Sequence, residues 1–210
     1  MKKTFILGLT GSIGMGKTTT AEIFRDLSIA VWDADAAVHE LYTSDSETIE
    51  KIFEIFPECV SSAGVDRNLL SNKLQKNNSL FPEIENIVHP AIREHRLAFI
   101  EVCNESKQKL AVVDIPLLFE TNANDWLDAV LVVTTDQENQ RKRVMSRSGM
   151  NEKIFNMISE RQMPDHEKKK KADYIIETKS IAHVQFEVLI KKIIDRFHIV
   201  SIMKDKIYFL

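Results

Sequence analysis

Apolar residues along this chain fall into two kinds of stretch. Residues 5–9, 29–32, 110–113, 129–133 and 174–176 are short continuous apolar runs, the length of buried strands. Elsewhere the apolar positions recur every three or four residues, as on one face of a helix. Ala21, Phe24 and Leu27 follow that spacing, as do Ile49, Ile52, Phe53 and Phe56, predicted to share one side of a helix over 45–57. Residues 61–64 read as a loop, 65–76 as a helix, and 77–79 as a break. A long helical pattern then carries Ile84, Ile87, Val88, Ile92, Phe99, Ile100 and Cys103, with Pro90 expected to kink or divide it. Further helices are predicted from 136, over 150–163 and over 181–197, and the mixed residues 199–210 would add an edge strand.

Strands alternating with helices predict an α/β fold, a doubly wound sheet of about five parallel strands with helices on both faces. The helical block 45–108 sits between two strands, where an insertion would build a substrate pocket. The expected organisation is a single domain whose core is 1–44, 109–148 and 172–198. Residues 149–171 would form a lid, hinged at Ser148-Gly149.

Between the first strand and the first helix stands Gly11-Ser12-Ile13-Gly14-Met15-Gly16-Lys17-Thr18, which fits G-x-x-x-x-G-K-[ST] in the strand–loop–helix setting that the motif requires. Glycines let successive backbone N–H groups converge on an anion, and the helix adds its unsatisfied amides and dipole. Gly11, Ile13, Gly14, Met15, Gly16, Lys17, Thr18 and Thr19 are therefore the expected ATP-binding residues. Lys17 would reach the β- and γ-phosphates, and the Thr18 hydroxyl would ligate Mg²⁺.

Acids recur where strands end. Asp33 and Asp35 follow the second run, and either serves as a helix cap or faces a substrate. Asp114 closes the third, the place for a carboxylate that holds Mg²⁺ through water. The next residues, Ile115-Pro116-Leu117-Leu118-Phe119-Glu120, are too apolar for a solvated loop. They read equally as a ligand wall or as packing against the helical block. Arg143 and Arg147, four apart on one helix face, either clamp phosphate or form a solvated basic face. His89, before Pro90, is a structural residue or a ligand contact, and Lys168–Lys171 reads as an exposed basic face.

Composition narrows the class. The chain has 210 residues, 44 % of them hydrophobic, and a net charge of −3 from 28 basic and 31 acidic side chains. No global basic footprint for nucleic acid is present. Cys59 and Cys103 have no metal or redox spacing, which suits free thiols in a reducing compartment. The lysines before the first apolar run resemble the start of a signal peptide, but the run ends at Leu9 and the phosphate loop follows at once. No run approaches a membrane span, so a cytoplasmic protein is expected.

Several segments together resemble the dephospho-coenzyme A kinases. They are residues 9–19, Asp33-Ala34-Asp35, His89-Pro90, Pro116-Leu117-Leu118-Phe119-Glu120, Gln140-Arg141-Lys142-Arg143 with Arg147, Gln162-Met163-Pro164, Lys168 and residues 172–176. The likeness extends to about residue 197. It implies ATP- and Mg²⁺-dependent phosphorylation of the ribose 3′-hydroxyl of dephospho-coenzyme A. Asp35 would be the base, with Lys17 and Arg143 also catalytic and Arg147 on ATP. Thr10, Asp33, His89, Pro116, Leu117, Leu118, Phe119 and Glu120 would meet the small-molecule substrate. The family pattern has Gly for Ser12, often Arg for His39, and commonly Asn near Thr178. The expected state is a monomer or weak homo-oligomer without nucleic-acid or membrane partners. Another P-loop metabolite kinase, for a nucleoside or nucleotide, is the alternative reaction. A regulatory P-loop NTPase acting through partners is the alternative class.

Overall fold

The central strand of the sheet is the first in sequence. In the computed structural model, which describes residues 3–178, β1 (Phe5–Thr10) lies between β5 (Leu110–Asp114) and β6 (Ala129–Thr134) and pairs parallel with both. The five-stranded sheet has the order β2-β5-β1-β6-β7, with β2 at Ala30–Asp33 and β7 at Tyr174–Glu177. Non-consecutive neighbours require crossovers, which are helical here and give the α/β fold expected from the sequence. Every residue of β5 and β6 is buried, which explains their unbroken apolar character.

The chain divides into two compact units. The first comprises residues up to Val31 and those from Cys103 onward. Its main core joins Leu7, Leu9, Val112, Leu131, Val133 and Ile176 to Phe24 of α1 (Lys17–Asp26). Each such side chain contributes about 1.5–3 kcal/mol by leaving water. A second cluster contains Leu118, Phe119, Val130 and Val132. After β6 come α6 (Gln137–Met145), α7 (Glu152–Glu160) and α8 (Asp165–Lys171). The single helix expected over 150–163 is thus shorter, and a second one starts after Pro164, whose ring suits a helix start.

The second unit, Trp32–Val102, is built around Leu41, Ile52, Phe56, Val65, Leu70, Leu74 and Ile84. It contains α2 (Ala34–Ser44), α3 (Ser46–Ile55), α4 (Arg67–Lys76) and most of α5 (Phe81–Glu105). Three expectations change here. The supposed loop at 61–64 is the tip of an antiparallel hairpin, β3 (Val60–Ser61) with β4 (Gly64–Val65), whose strands are too short to show a period of two. Phe53 is 52 % exposed rather than on the buried face with Ile52 and Phe56. Pro90 does not divide α5, which runs unbroken for 25 residues. The helix expected at 181–197 and the edge strand at 199–210 lie outside the described residues.

Candidate active site

The phosphate loop leaves β1 and enters α1 through two left-handed glycines, Gly14 at φ 78° and Gly16 at φ 90°. A Cβ at Gly16 would stand 3.0–3.1 Å from three side-chain atoms of Thr178, so strain and crowding both require glycine. Gly16 is also the N-cap of α1 and supplies no side-chain cap, while the first turn carries no acid. The leading amides of α1 are thus left for an anion.

Lys17 Nζ lies 2.7 Å from Asp114 Oδ1. The carboxylate is buried, with 2 % of its side chain exposed, and the lysine retains 19 %. Thr18 and Thr19 are exposed at the start of α1. One hydroxyl and one carboxylate are hard oxygen donors, a set that fits Mg²⁺, which keeps several waters and takes further oxygens from phosphate. Among the described residues no group of three His, Cys, Asp or Glu could hold a metal by itself.

Side chains from outside the motif hold the loop from two directions. The Ile13 N–H donates to Gln162 Oε1 at 3.0 Å, and Gln140 Nε2 donates to the Ile13 carbonyl at 2.8 Å. Thr178, 2 % exposed, donates its hydroxyl to the Met15 carbonyl at 2.8 Å. Arg143 Nη1 donates to that same hydroxyl at 2.8 Å, and Nη2 donates to the Thr178 carbonyl. A cavity of about 470 Å³ adjoins the loop, lined in part by Ser12, Met15, Gln140, Gln162 and Lys169.

The apolar stretch after Asp114 is folded inward. Leu118 and Phe119, 0 % and 4 % exposed, join the core, whereas Leu117 remains 38 % exposed. Thr10, fully buried, donates its hydroxyl to the Pro116 carbonyl at 3.2 Å. Glu120 Oε1 accepts the Met163 N–H at 2.6 Å and lies 2.9 Å from the ammonium of Lys168, which is 0 % exposed. Burial pushes the Glu120 carboxyl up. Hydrogen bonds from Lys168, the Met163 amide and its own backbone outweigh that and hold it below the usual range.

In the second unit, Asp33 is the N-cap of α2 and its Oδ1 accepts the Ala36 N–H at 3.0 Å. Asp35 is exposed in the first turn of the same helix. His89 is exposed on α5. Both cysteines are free and buried, and burial raises both thiols.

The family model for dephospho-CoA kinase matches residues 5–183. The chain belongs to the dephospho-CoA kinase family. It is 45 % identical over 173 residues to a dephospho-CoA kinase of Rhodopseudomonas palustris, covering 82 % of this chain and 86 % of that one. A dephospho-CoA kinase of Agrobacterium fabrum is 46 % identical over 173 residues, covering 82 % and 88 %. The structure resembles that of the dephospho-CoA kinase from Campylobacter jejuni with a TM-score of 0.67 at 29 % identity, over 90 % of this chain and 95 % of that one. A shikimate kinase from Acinetobacter baumannii, at 18 % identity and a TM-score of 0.52, covers 92 % of this chain and 94 % of that one and shares the fold alone.

Within this dephospho-CoA kinase fold, several side chains picked from sequence are packed or hydrogen-bonded within the protein itself. Thr10 is sealed beneath Pro116, and Leu118 and Phe119 serve the core, because the loop's apolar residues bury best against the sheet. They do not form an open wall. Arg143 is turned onto Thr178, while Arg147 is exposed. Lys168 is buried against Glu120 rather than lying on a solvated basic face. The loop residues, Lys17, Thr18 and Asp114 are brought together in the first unit; Asp33, Asp35 and His89 belong to the second. Gln140, Gln162 and Thr178 were not foreseen as loop partners, because their contacts span 127, 149 and 163 residues of sequence.

Proposed function

We propose that the protein transfers the γ-phosphoryl group of ATP to the ribose 3′-hydroxyl of dephospho-CoA, giving CoA and ADP in the last step of CoA synthesis. The observation that carries this reading is the phosphate loop, with Lys17 on buried Asp114, inside a chain matched by the family model over residues 5–183. The phosphorus–oxygen bond to the β-phosphate breaks, a new one forms to the 3′-oxygen, and the hydroxyl proton passes to a carboxylate. Lys17 and the amides at the start of α1 neutralise charge on the β- and γ-oxygens, where it changes most in the transition state. Thr18 and Asp114 are the residues that would hold Mg²⁺, which when bound would supply positive charge to offset that of the phosphates.

Asp35 is the proposed base and Asp33 a substrate contact. The N-cap bond of Asp33 supports that division, since Asp35 makes no such bond to its own helix. Arg147 would meet the phosphates, residues 116, 117 and 120 and His89 the acceptor, and residues 149–171 would act as a lid. No described helix is long and apolar enough to cross a membrane. A cytoplasmic enzyme, monomeric or weakly self-associating and without nucleic-acid or membrane partners, agrees with that and with the net charge of −3.

The test is ADP release from Mg·ATP with and without dephospho-CoA. Release that depends on dephospho-CoA, with CoA as product, is the expected result. A higher kcat/KM for shikimate, adenosine or a nucleoside monophosphate would replace the acceptor. Slow ADP release indifferent to all of them would point to a regulatory NTPase.

A further inference from the structure

One imidazole spans both sides of the aspartate pair. Trp32, the residue before Asp33, is 4 % exposed, and its indole N–H donates to His95 Nδ1 at 2.9 Å. His95 Nε2 stands 3.2 Å from Glu40 Oε2 on α2, five residues beyond Asp35. An indole N–H can only donate, so Nδ1 must be the acceptor and the neutral ring carries its hydrogen on Nε2, directed at Glu40. From α5, His95 therefore grips the chain just ahead of Asp33 and again one turn past Asp35. Its ring lies 6.2 Å from that of Trp32 at 48°. Nothing else in the reaction described above uses it.

We propose that neutral His95 is a positioning residue, which fixes the Asp33–Asp35 segment through Trp32 and Glu40 and releases it when the ring is protonated. A hydrogen on Nδ1 would face the indole N–H, so the Trp32 bond cannot survive protonation, while the Glu40 contact gains charge. The other charged groups sharing these surroundings are Glu94 on α5, Asp45 at the cap of α3, and Glu47 and Lys51 on α3, which line a common cavity with His95. The grip matters because a displacement of about 1 Å in a reacting group costs on the order of 100-fold in rate. The kinetic consequence rests on reading Asp35 as the base; the hydrogen bond does not.

The experiment uses full-length protein in a Trp126→Phe background, which leaves Trp32 as the only indole, since the chain has two tryptophans. Asn can place its Oδ1 where Nδ1 stood, so His95→Asn preserves an acceptor that does not titrate, and His95→Leu removes it. Trp32 emission should change as the buffer is acidified while the protein stays folded, and should not change in either variant. His95→Leu should lower kcat by about tenfold or more, leave the KM for ATP unchanged, and be matched by Trp32→Phe should it fail to fold. His95→Asn should recover most of the rate and flatten the acid side of the pH profile. A pH-dependent emission that persists in His95→Asn overturns the contact. Equal rates in all variants overturn the positioning role, as does an Asn variant no better than Leu. Were wild-type protein inactive on dephospho-CoA, the functional reading and this role would fall together, while the emission change would still stand.

Discussion

The Lys17 ammonium rests 2.7 Å from the buried carboxylate of Asp114, so one strand end orients the lysine that the other presents. Both residues terminate or follow adjacent strands, β5 and β1, and the pairing holds the lysine extended from α1. Lys17→Ala should reduce phosphoryl transfer by on the order of 10³-fold, as removal of one donor to a developing charge does elsewhere. Circular dichroism should still report a folded protein, because Lys17 lies outside the apolar core, while Tm should fall since the buried Asp114 carboxylate loses this partner. Single-turnover rates near the wild-type value in the variant would take the loop out of the mechanism.

A second ion pair, Lys168 with Glu120, is largely buried in the structure. Lys168 is fully buried and meets Glu120, so Glu120→Ala would strand an ammonium in the interior at a cost of about 3–5 kcal/mol. A large fall in Tm is the expected outcome. The Glu120 carboxyl is held below its ordinary value, so its stabilisation is complete above about pH 4.3 and is lost as pH falls through the lower folded value. Denaturant titrations of Glu120→Gln against wild type should therefore differ most near neutrality and converge in acid. A gap that stays constant down to the most acid samples would contradict this.

Much of this was legible because the signals are local. β5 and β6 read from sequence within a residue of their observed bounds, since strands buried on both faces leave unbroken apolar runs. The phosphate loop is legible because glycine spacing encodes backbone angle directly, as Gly14 and Gly16 bear out. What the local pattern left hidden was non-local. Nothing in Lys168-Lys169-Lys170-Lys171 distinguishes its first lysine, whose burial depends on a glutamate 48 residues earlier. The same holds for Arg143, whose partner Thr178 lies a strand away, and for the hairpin at Val60–Val65, too short to carry a period. The aspartate pair was half legible: a cap and a solvent-facing acid were both foreseen, but only the Ala36 bond assigns the cap to Asp33.

Residues 149–171 are not held equally. α8 is tied down by buried Lys168, by Asp165 accepting from Thr134 Oγ1 at 2.8 Å, and by the Gln162 bond to the loop just before it. α7 contributes no buried residue, and Met157 is 48 % exposed. Hydrogen exchange should therefore be fast in α7 without ligands and slow with an ATP analogue and dephospho-CoA, while α8 is protected in both states. Equal protection of α7 with and without ligands would remove the lid.

The identity of the base is decided by the two aspartates themselves. Asp33 is half-buried and caps α2 through Ala36, so Asp33→Asn keeps a serviceable cap and should cost little in stability. Asp35 is exposed in the first turn of the same helix, and as the proposed proton acceptor it should lose its role entirely on becoming Asn. A ribose hydroxyl is a weak nucleophile, and a positioned base contributes about 10²–10⁴-fold. Asp35→Asn should lower kcat by that order with the dissociation constant for dephospho-CoA within a few-fold of wild type. Asp33→Asn should retain turnover and weaken acceptor binding instead. Single-turnover rates and equilibrium binding of dephospho-CoA, measured on both variants, separate the roles. If Asp33→Asn is the inactive protein, the helix cap is also the base. If Asp35→Asn loses affinity while its chemical step is unchanged, Asp35 binds the acceptor and the proton leaves by another group.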